Sequence, residues 1–237
     1  MDAEEETARI VADMRRRVVP GRADGEKRYL KSDFEHLGVP VPEVRKAART
    51  AAVSTREDVL GLAETLWGVT ESGLVVHEAR MAAIEVLVRW VRLLEAGDVE
   101  VAERLIRDSA SWVYVDALAE KVAGRLASGA VLDAWAGDPY MWVRRAALLA
   151  LLPGVRAGRP DFARISRYGD LLIGEHEFFI RKALGWVLRE LSKKDPAWVQ
   201  KWVAERIGVI SGVTLREAVR RMPEADALVL TDAYRGR

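Results

Sequence analysis

Apolar positions recur at the three-and-four spacing of an α-helix in most windows of this chain, and the strict alternation of a half-buried strand is scarce. The punctuation between these windows is that of helix ends. Asp138-Pro139 and Asp195-Pro196 each set a capping side chain before a proline suited to a first helical turn. Ser54 with Glu57, and Thr214 with Glu217, have the spacing of capping boxes. The acidic run Glu4-Glu5-Glu6, followed by Arg15-Arg16-Arg17, matches the dipole of an N-terminal helix. Loops are expected near 20–25, 38–42, 68–73, 153–160 and 208–212. The pattern predicts an all-α chain.

A repeated phrase then sets the architecture. Apolar-Arg-x-Ala occurs at Val44-Arg45-Lys46-Ala47, Ala79-Arg80-Met81-Ala82, Val143-Arg144-Arg145-Ala146, Ile180-Arg181-Lys182-Ala183 and Leu215-Arg216-Glu217-Ala218. The copies are spaced by roughly 35 to 37 residues, apart from one interval near double that length, where Tyr114-Val115-Asp116-Ala117 fits as a divergent copy. Two helices per unit of that length predict a curved α-solenoid of HEAT-like helical repeats, folded over 1–237 as a single domain with one concave groove. The recurrent Ala and apolar positions read as helix–helix packing. The third position differs among the copies: Lys46, Met81, Asp116, Arg145, Lys182, Glu217. Equivalent positions in stacked repeats line up, so Asp116, Arg145 and Lys182 are expected to be neighbours in space.

Composition narrows the chemistry. Hydrophobic residues make up 50% and charged residues 31%, the balance of a folded globular chain and not of a disordered one. With 37 Lys plus Arg against 36 Asp plus Glu, a polyanion would be met only by charge gathered on one face. The absence of cysteine excludes disulfides, thiolate nucleophiles and zinc ribbons. His36, His77 and His176 show no metal-ligand spacing, so neither a metal nor an organic cofactor is expected. The acidic start is unlike a signal peptide, and no apolar run nears the roughly 18 residues of a membrane span. A cytoplasmic location is expected, in a bacterial cytosol or nucleoid.

Two tryptophans extend the variable column. Trp112 lies one helical turn before Asp116, and Trp186 one turn after Lys182, so each shares a face with its column residue. Indole faces attract cations, and Arg and Lys hold phosphates. A carboxylate set among them repels a nucleic-acid backbone, which makes sense if it stabilises positive charge developing on a sugar or orients a water towards it. The chemistry that fits is cleavage of an N-glycosidic bond at a cationic, alkylated base, which leaves as a neutral purine without a general acid.

Four segments carry a family resemblance across about residues 25 to 205. They are Tyr29-Leu30-Lys31-Ser32-Asp33-Phe34-Glu35-His36-Leu37-Gly38, Ser111-Trp112-Val113-Tyr114-Val115-Asp116, Trp142-Val143-Arg144-Arg145-Ala146, and Glu177-Phe178-Phe179-Ile180-Arg181-Lys182-Ala183-Leu184-Gly185-Trp186-Val187-Leu188-Arg189-Glu190. The chain resembles the AlkD-type DNA glycosylases, the HEAT-like DNA alkylation repair family. The resemblance implies that Asp116 is the catalytic aspartate, Trp112 and Trp186 the two active-site tryptophans, and Arg145 the catalytic-site arginine, with Tyr29 near bound DNA. It also implies excision of N3- and N7-alkylpurines from duplex DNA without a base-flipping pocket. The chain departs from the family in flanking Trp112 with Ser111 and Val113, where a second aromatic is frequent.

The resulting expectation is an alkylpurine DNA glycosylase of base excision repair, acting as a monomer on double-stranded DNA, with Arg144, Arg181, Lys182, Arg189, Lys193 and Lys194 as further DNA-binding residues. The alternative is a non-catalytic HEAT-like scaffold that binds DNA or a protein. Asp116 as a plain surface ion-pair partner of Arg145 is the bland reading of the centre. Trp90, Trp135, Trp198 and Trp202 read as packing residues, and His176-Glu177 as a helix start.

Overall fold

A computed structural model describes residues 1–237. The chain is all-α apart from a two-residue hairpin, and it divides into two compact units, Met1–Asp98 and Val99–Arg237.

The first unit carries α1 (Ala3–Arg15), α2 (Arg22–Leu30), α3 (Val41–Ala48), α4 (Arg56–Trp67) and α5 (His77–Arg89), with β1 (Thr70–Glu71) and β2 (Leu74–Val75) between the last two. Asp2 caps α1 by accepting from the Glu4 and Glu5 backbone N–H groups. The capping box at α4 falls one residue later than Ser54–Glu57: Thr55 is the cap and Asp58 its partner. The reason is that the Asp58 carboxylate also gathers the Ser54 backbone N–H and hydroxyl, each at 3.0 Å, which leaves Ser54 outside the helix. The expected loop at 20–25 is mostly α2, because Gly21, at φ +76°, turns the chain into the helix early.

The core of this unit lies where α5 packs on α3 and α4, around Val44, Val59, Leu62, Leu66, Ile84 and Leu87. Glu78 of α5 is buried beneath the loop that follows α2. Its carboxylate accepts the backbone N–H groups of Leu37 at 2.9 Å, Gly38 at 2.7 Å and Val39 at 3.0 Å. That cradle needs Gly38, whose φ is +83° and whose missing Cβ would lie 3.0 Å from the Ala23 nitrogen. His36 stacks on His77 with ring centroids 4.3 Å apart. Burial pushes both imidazoles below their ordinary range, His77 to about 3, with His36 adding to that shift.

The second unit runs α6 (Val99–Ser109), α7 (Trp112–Ala117), a π-helical turn (Leu118–Ala123), α8 (Gly124–Leu126), α9 (Gly129–Ala136), α10 (Met141–Leu149), α11 (Leu152–Arg156), α12 (Phe162–Leu172), α13 (Phe178–Ser192), α14 (Pro196–Ala204), α15 (Gly212–Val219) and α16 (Glu224–Arg235). One row of neighbours steps from α7 to α10, α13 and α15, each packed on the next. These are the helices of this unit that carry the repeated phrase. Its first residues Tyr114, Val143, Ile180 and Leu215 are buried, as are Ala146, Ala183 and Ala218 in the fourth position. The row is tight at Gly185, where a Cβ would stand 2.6 Å from Glu217 Cβ and 2.8 Å from the Thr214 carbonyl oxygen. Only glycine lets α13 and α15 meet so tightly.

Asp195 caps α14 from before Pro196, as its sequence predicts, accepting from the Trp198 N–H at 2.9 Å. Asp138 does not cap a helix at Pro139. Arg107 holds its carboxylate at 2.5 Å, and α10 begins only at Met141. Thr214 is likewise no cap, because Ser211 takes that place and Thr214 sits inside α15 with its hydroxyl donating to the Arg181 carbonyl at 3.1 Å. Pro153 starts α11 inside the expected loop 153–160, since proline suits a first helical turn. No helix of the chain is long and apolar enough to cross a membrane.

Candidate active site

Three helices of the second unit assemble the site. α7 begins at Trp112, with Ser111 extended before it, and places Asp116 one turn later on the same face. The regular α-geometry stops at Ala117, immediately after the carboxylate, and gives way to the π-helical turn. A π-turn inserts an extra residue and shifts the side chains before it relative to those after it, and such turns concentrate at functional sites. Gly124, just past the turn, admits the Ala150 carbonyl and Pro153, which would meet a Cβ at 2.8 and 2.9 Å.

α10 supplies Arg145, whose side chain is only 4% exposed. Its Nε donates to Asp116 Oδ1 at 2.7 Å and its Nη2 to Oδ2 at 2.8 Å, a two-pronged pair in which the planar fork matches the carboxylate. The third branch, Nη1, donates to the Phe179 carbonyl at 2.5 Å, and the guanidinium carbon lies 5.8 Å from the Phe179 ring. Arg145 thus ties α7, α10 and the first turn of α13 together through one side chain. Asp116 keeps 18% of its side chain exposed, so the pair has one buried and one open end. Each carboxylate oxygen offers about two lone-pair directions and Arg145 uses one of each, which leaves both oxygens an acceptor direction for something else.

α13 carries the rest. Phe179, Lys182 and Trp186 follow one another at three and four residues along a single stripe of the helix. Trp186 is half-buried, with the Arg189 guanidinium carbon 5.9 Å from its ring. Phe178 is 51% exposed at the helix start, edge-on to Phe179 at 5.5 Å, and Phe179 leans on buried Trp142 at 5.0 Å. The structure therefore brings Asp116 and Arg145 into contact, while Lys182 sets its ammonium 5.8 Å from the Phe178 ring.

The other basic candidates hold local partners. Arg144 pairs with Glu175 at 2.8 Å and donates to the Asp138 and Pro139 carbonyls. Arg181 donates to the Glu175 carbonyl at 2.6 Å, Arg189 is bound to Glu217, and Lys193 meets Glu190 at 2.6 Å. Lys194 is exposed at the end of α13, outside any ion pair. Tyr29 stands on α2 in the first unit and is 75% exposed. Trp135 and Trp202 are buried and Trp90 and Trp198 half-buried, while Glu177 takes the N-cap position of α13.

Sequence reasoning passed over Phe178, Phe179 and Glu175 as site residues. The signal for the two phenylalanines was present: adjacent aromatics at a helix start point about 100° apart, so both cannot enter one core. The π-turn left no sequence signal, since its residues Leu118 to Ala123 are ordinary helix formers.

The profile of a family described as DNA alkylation repair enzyme matches residues 10–222. A solved structure described as a predicted DNA alkylation repair enzyme from Enterococcus faecalis superposes with a TM-score of 0.75. It is 24% identical, and the match covers 88% of this chain and 98% of that one, a likeness of fold. No curated protein matches the chain. With nine-tenths of its length matched by that profile, the chain belongs to the DNA alkylation repair enzyme family, and its role lies in the repair of alkylated DNA.

Proposed function

We propose that this chain is a DNA N-glycosylase that hydrolyses the glycosidic bond of cationic N3- and N7-alkylated purines in duplex DNA, with residues 1–237 acting as one glycosylase. The observation that carries this reading is the carboxylate of Asp116, held by both oxygens on a nearly buried arginine yet open at its outer edge, one turn from Trp112. An exposed ion pair of little energetic consequence would leave both partners in water. Here the arginine is committed to the fold, and the carboxylate remains available.

In the proposed reaction the bond from C1′ to the purine nitrogen breaks first. Its electron pair neutralises the alkylated base, so the base departs without protonation. Asp116 stabilises the positive charge left on the sugar and orients a water, whose oxygen bonds to C1′ while its proton passes to solvent. Trp112 and Trp186 hold the charged nucleotide by cation–π and CH–π contacts, which fade as the charge leaves. Arg145 acts by fixing the carboxylate. Lys182, Lys194 and Tyr29 contact the duplex, and Arg144, Arg189 and Lys193 are candidates to do so by exchanging a carboxylate partner for a phosphate, as is Arg181 by leaving the Glu175 carbonyl. The products are an abasic site and a free base, and the chain needs no organic cofactor and no catalytic metal. A monomer in the cytoplasm suits this work.

The test is release of free 7-methylguanine from duplex DNA under enzyme excess, by the wild type and by Asp116→Asn. Release by the wild type alone supports the glycosylase and its carboxylate together. Equal release by both proteins removes Asp116 from the chemistry. Silence from both, combined with salt-sensitive DNA binding, favours a non-catalytic DNA-binding protein. That second reading draws on the neutralisation of most arginines near the site.

A further inference from the structure

The first unit contains a cluster that the proposed reaction does not use. Glu26 of α2, His36 of the following loop and Glu78 of α5 bring one donor atom each within 4.8 Å of one another. None is adjacent to another in sequence, and His36 is 6% exposed.

Their hydrogen bonding is incomplete in a particular way. Both ring nitrogens of His36 are out of water and have no hydrogen-bond partner. Glu26 Oε1 takes Arg22 at 2.5 Å, whereas its Oε2 is buried and without a partner. Glu78 accepts two backbone N–H groups on Oε1 and one on Oε2, which leaves one acceptor direction on Oε2. The cluster thus presents a nitrogen and two carboxylate oxygens, all withdrawn from solvent and converging. The Glu78 carboxylate is buried and that of Glu26 partly so, which calls for compensating positive charge, and Arg22 is the one side-chain cation paired with either of them.

We propose that Glu26, His36 and Glu78 form a structural site for a divalent cation of the zinc type. One imidazole and two carboxylates are donors that Zn2+ accepts at about 2.0–2.2 Å, with water completing four-coordination. Donors at those lengths stand roughly 3.4 Å apart, so the side chains need to draw in by about an ångström or slightly more. The flat stack of His77 on His36 restrains the ring against turning away. Bound there, the ion joins α2, the loop over Glu78 and α5. The inference stands apart from the proposed reaction, whose carboxylate lies in the other unit.

The experiment uses the full chain stripped with chelator and then titrated with ZnCl2, with metal content read after dialysis. A parallel titration with Co2+ reads the visible bands of a nitrogen-and-oxygen site. One ion per chain is expected at or below roughly 100 µM free Zn2+, with a thermal midpoint that rises as the metal concentration rises. His36→Gln and Glu26→Gln should each weaken binding by roughly tenfold or more. His176→Gln, at an exposed histidine of the second unit, should leave it unchanged. Glu26 is only partly buried, so its variant reports on the site even if His36→Gln perturbs the fold. Absence of binding at that concentration overturns the proposal, and so does binding that both site variants retain in full.

Discussion

Replacing Asp116 by Asn separates what the carboxylate does for the fold from the part assigned to it in the proposed reaction. Asn keeps the volume and one acceptor oxygen, so one of the two Arg145 bonds at 2.7 and 2.8 Å survives. The bond from Arg145 Nη1 to the Phe179 carbonyl is untouched. Stranding a buried charge completely costs about 3–5 kcal/mol, and a single bond to a charged group is worth about 1.5–3 kcal/mol. With the open end of the pair at 18% exposure, we expect a loss of about 2 kcal/mol. At roughly 2–4 °C per kcal/mol for a chain of this size, the midpoint should fall by about 4–8 °C. A protein with about 5–15 kcal/mol in hand stays almost wholly folded at 25 °C after that loss, so unfolding removes little of the rate. The lost electrostatic stabilisation of the sugar cation, by contrast, should slow single-turnover base release by about 10² to 10³. The assay is thermal unfolding beside single-turnover release of 7-methylguanine, with DNA affinity as the control, expected unchanged or improved. A variant that is folded at the assay temperature and releases base within about tenfold of wild type would refute the catalytic role.

Other substitutions test the frame and the reach of the site. Gly185→Ala should cost about 1–3 kcal/mol by chemical denaturation, because its methyl group meets Glu217 and Thr214 across the α13–α15 contact. Gly25→Ala, inside α2 with nothing within 4 Å of the new methyl group, should gain about 0.5–1 kcal/mol by the same measurement. Trp186→Ala should reduce release of a cationic alkylpurine by about 2- to 30-fold while excision of an uncharged base changes less, the span expected for one cation–π contact. Lys194→Ala should lower the slope of DNA affinity against salt by about 1, whereas Arg144→Ala, whose guanidinium is engaged by Glu175, should mainly lower thermal stability. Tyr168 donates to Asp133, which that hydroxyl, with Arg164 and Arg167, holds down at about 2. Asp133 therefore contributes stability above its unfolded value near 3.8 and loses it only as pH falls through about 2. Tyr168→Phe should raise the Asp133 titration midpoint in an NMR pH series and move that acid loss to higher pH.

The helical fold and the meeting of Asp116 with Arg145 were legible because both rest on repetition. A period near 35 residues could be read from buried Ala and apolar positions, and the same register aligned Asp116 with Arg145, which the structure shows in direct contact. Helix ends were legible where one side chain decides them, as at Asp195, and misread where two groups compete for the same donors. Asp138 accepts the Tyr140 N–H as well as Arg107 of α6, so it closes the turn before α10 and does not cap a helix at Pro139, and Asp58 outbids Glu57 because it collects Ser54 as well as Thr55. The third kind of information, which cations are free, is absent from a linear reading. Counted by type, Arg144, Arg181, Arg189 and Lys193 look like a phosphate-binding set; in the fold their partners are Glu175, Glu217 and Glu190, brought from other turns and other helices. A nearly neutral chain of 37 basic and 36 acidic residues makes such pairing the rule. On the proposed reading, a duplex competes with carboxylates for Arg144, Arg189 and Lys193. Affinity for undamaged DNA should be modest for that reason, and the proposed reading assigns the gain on a cationic lesion to Trp112, Asp116 and Trp186, where a positively charged base would supply what the phosphate backbone cannot.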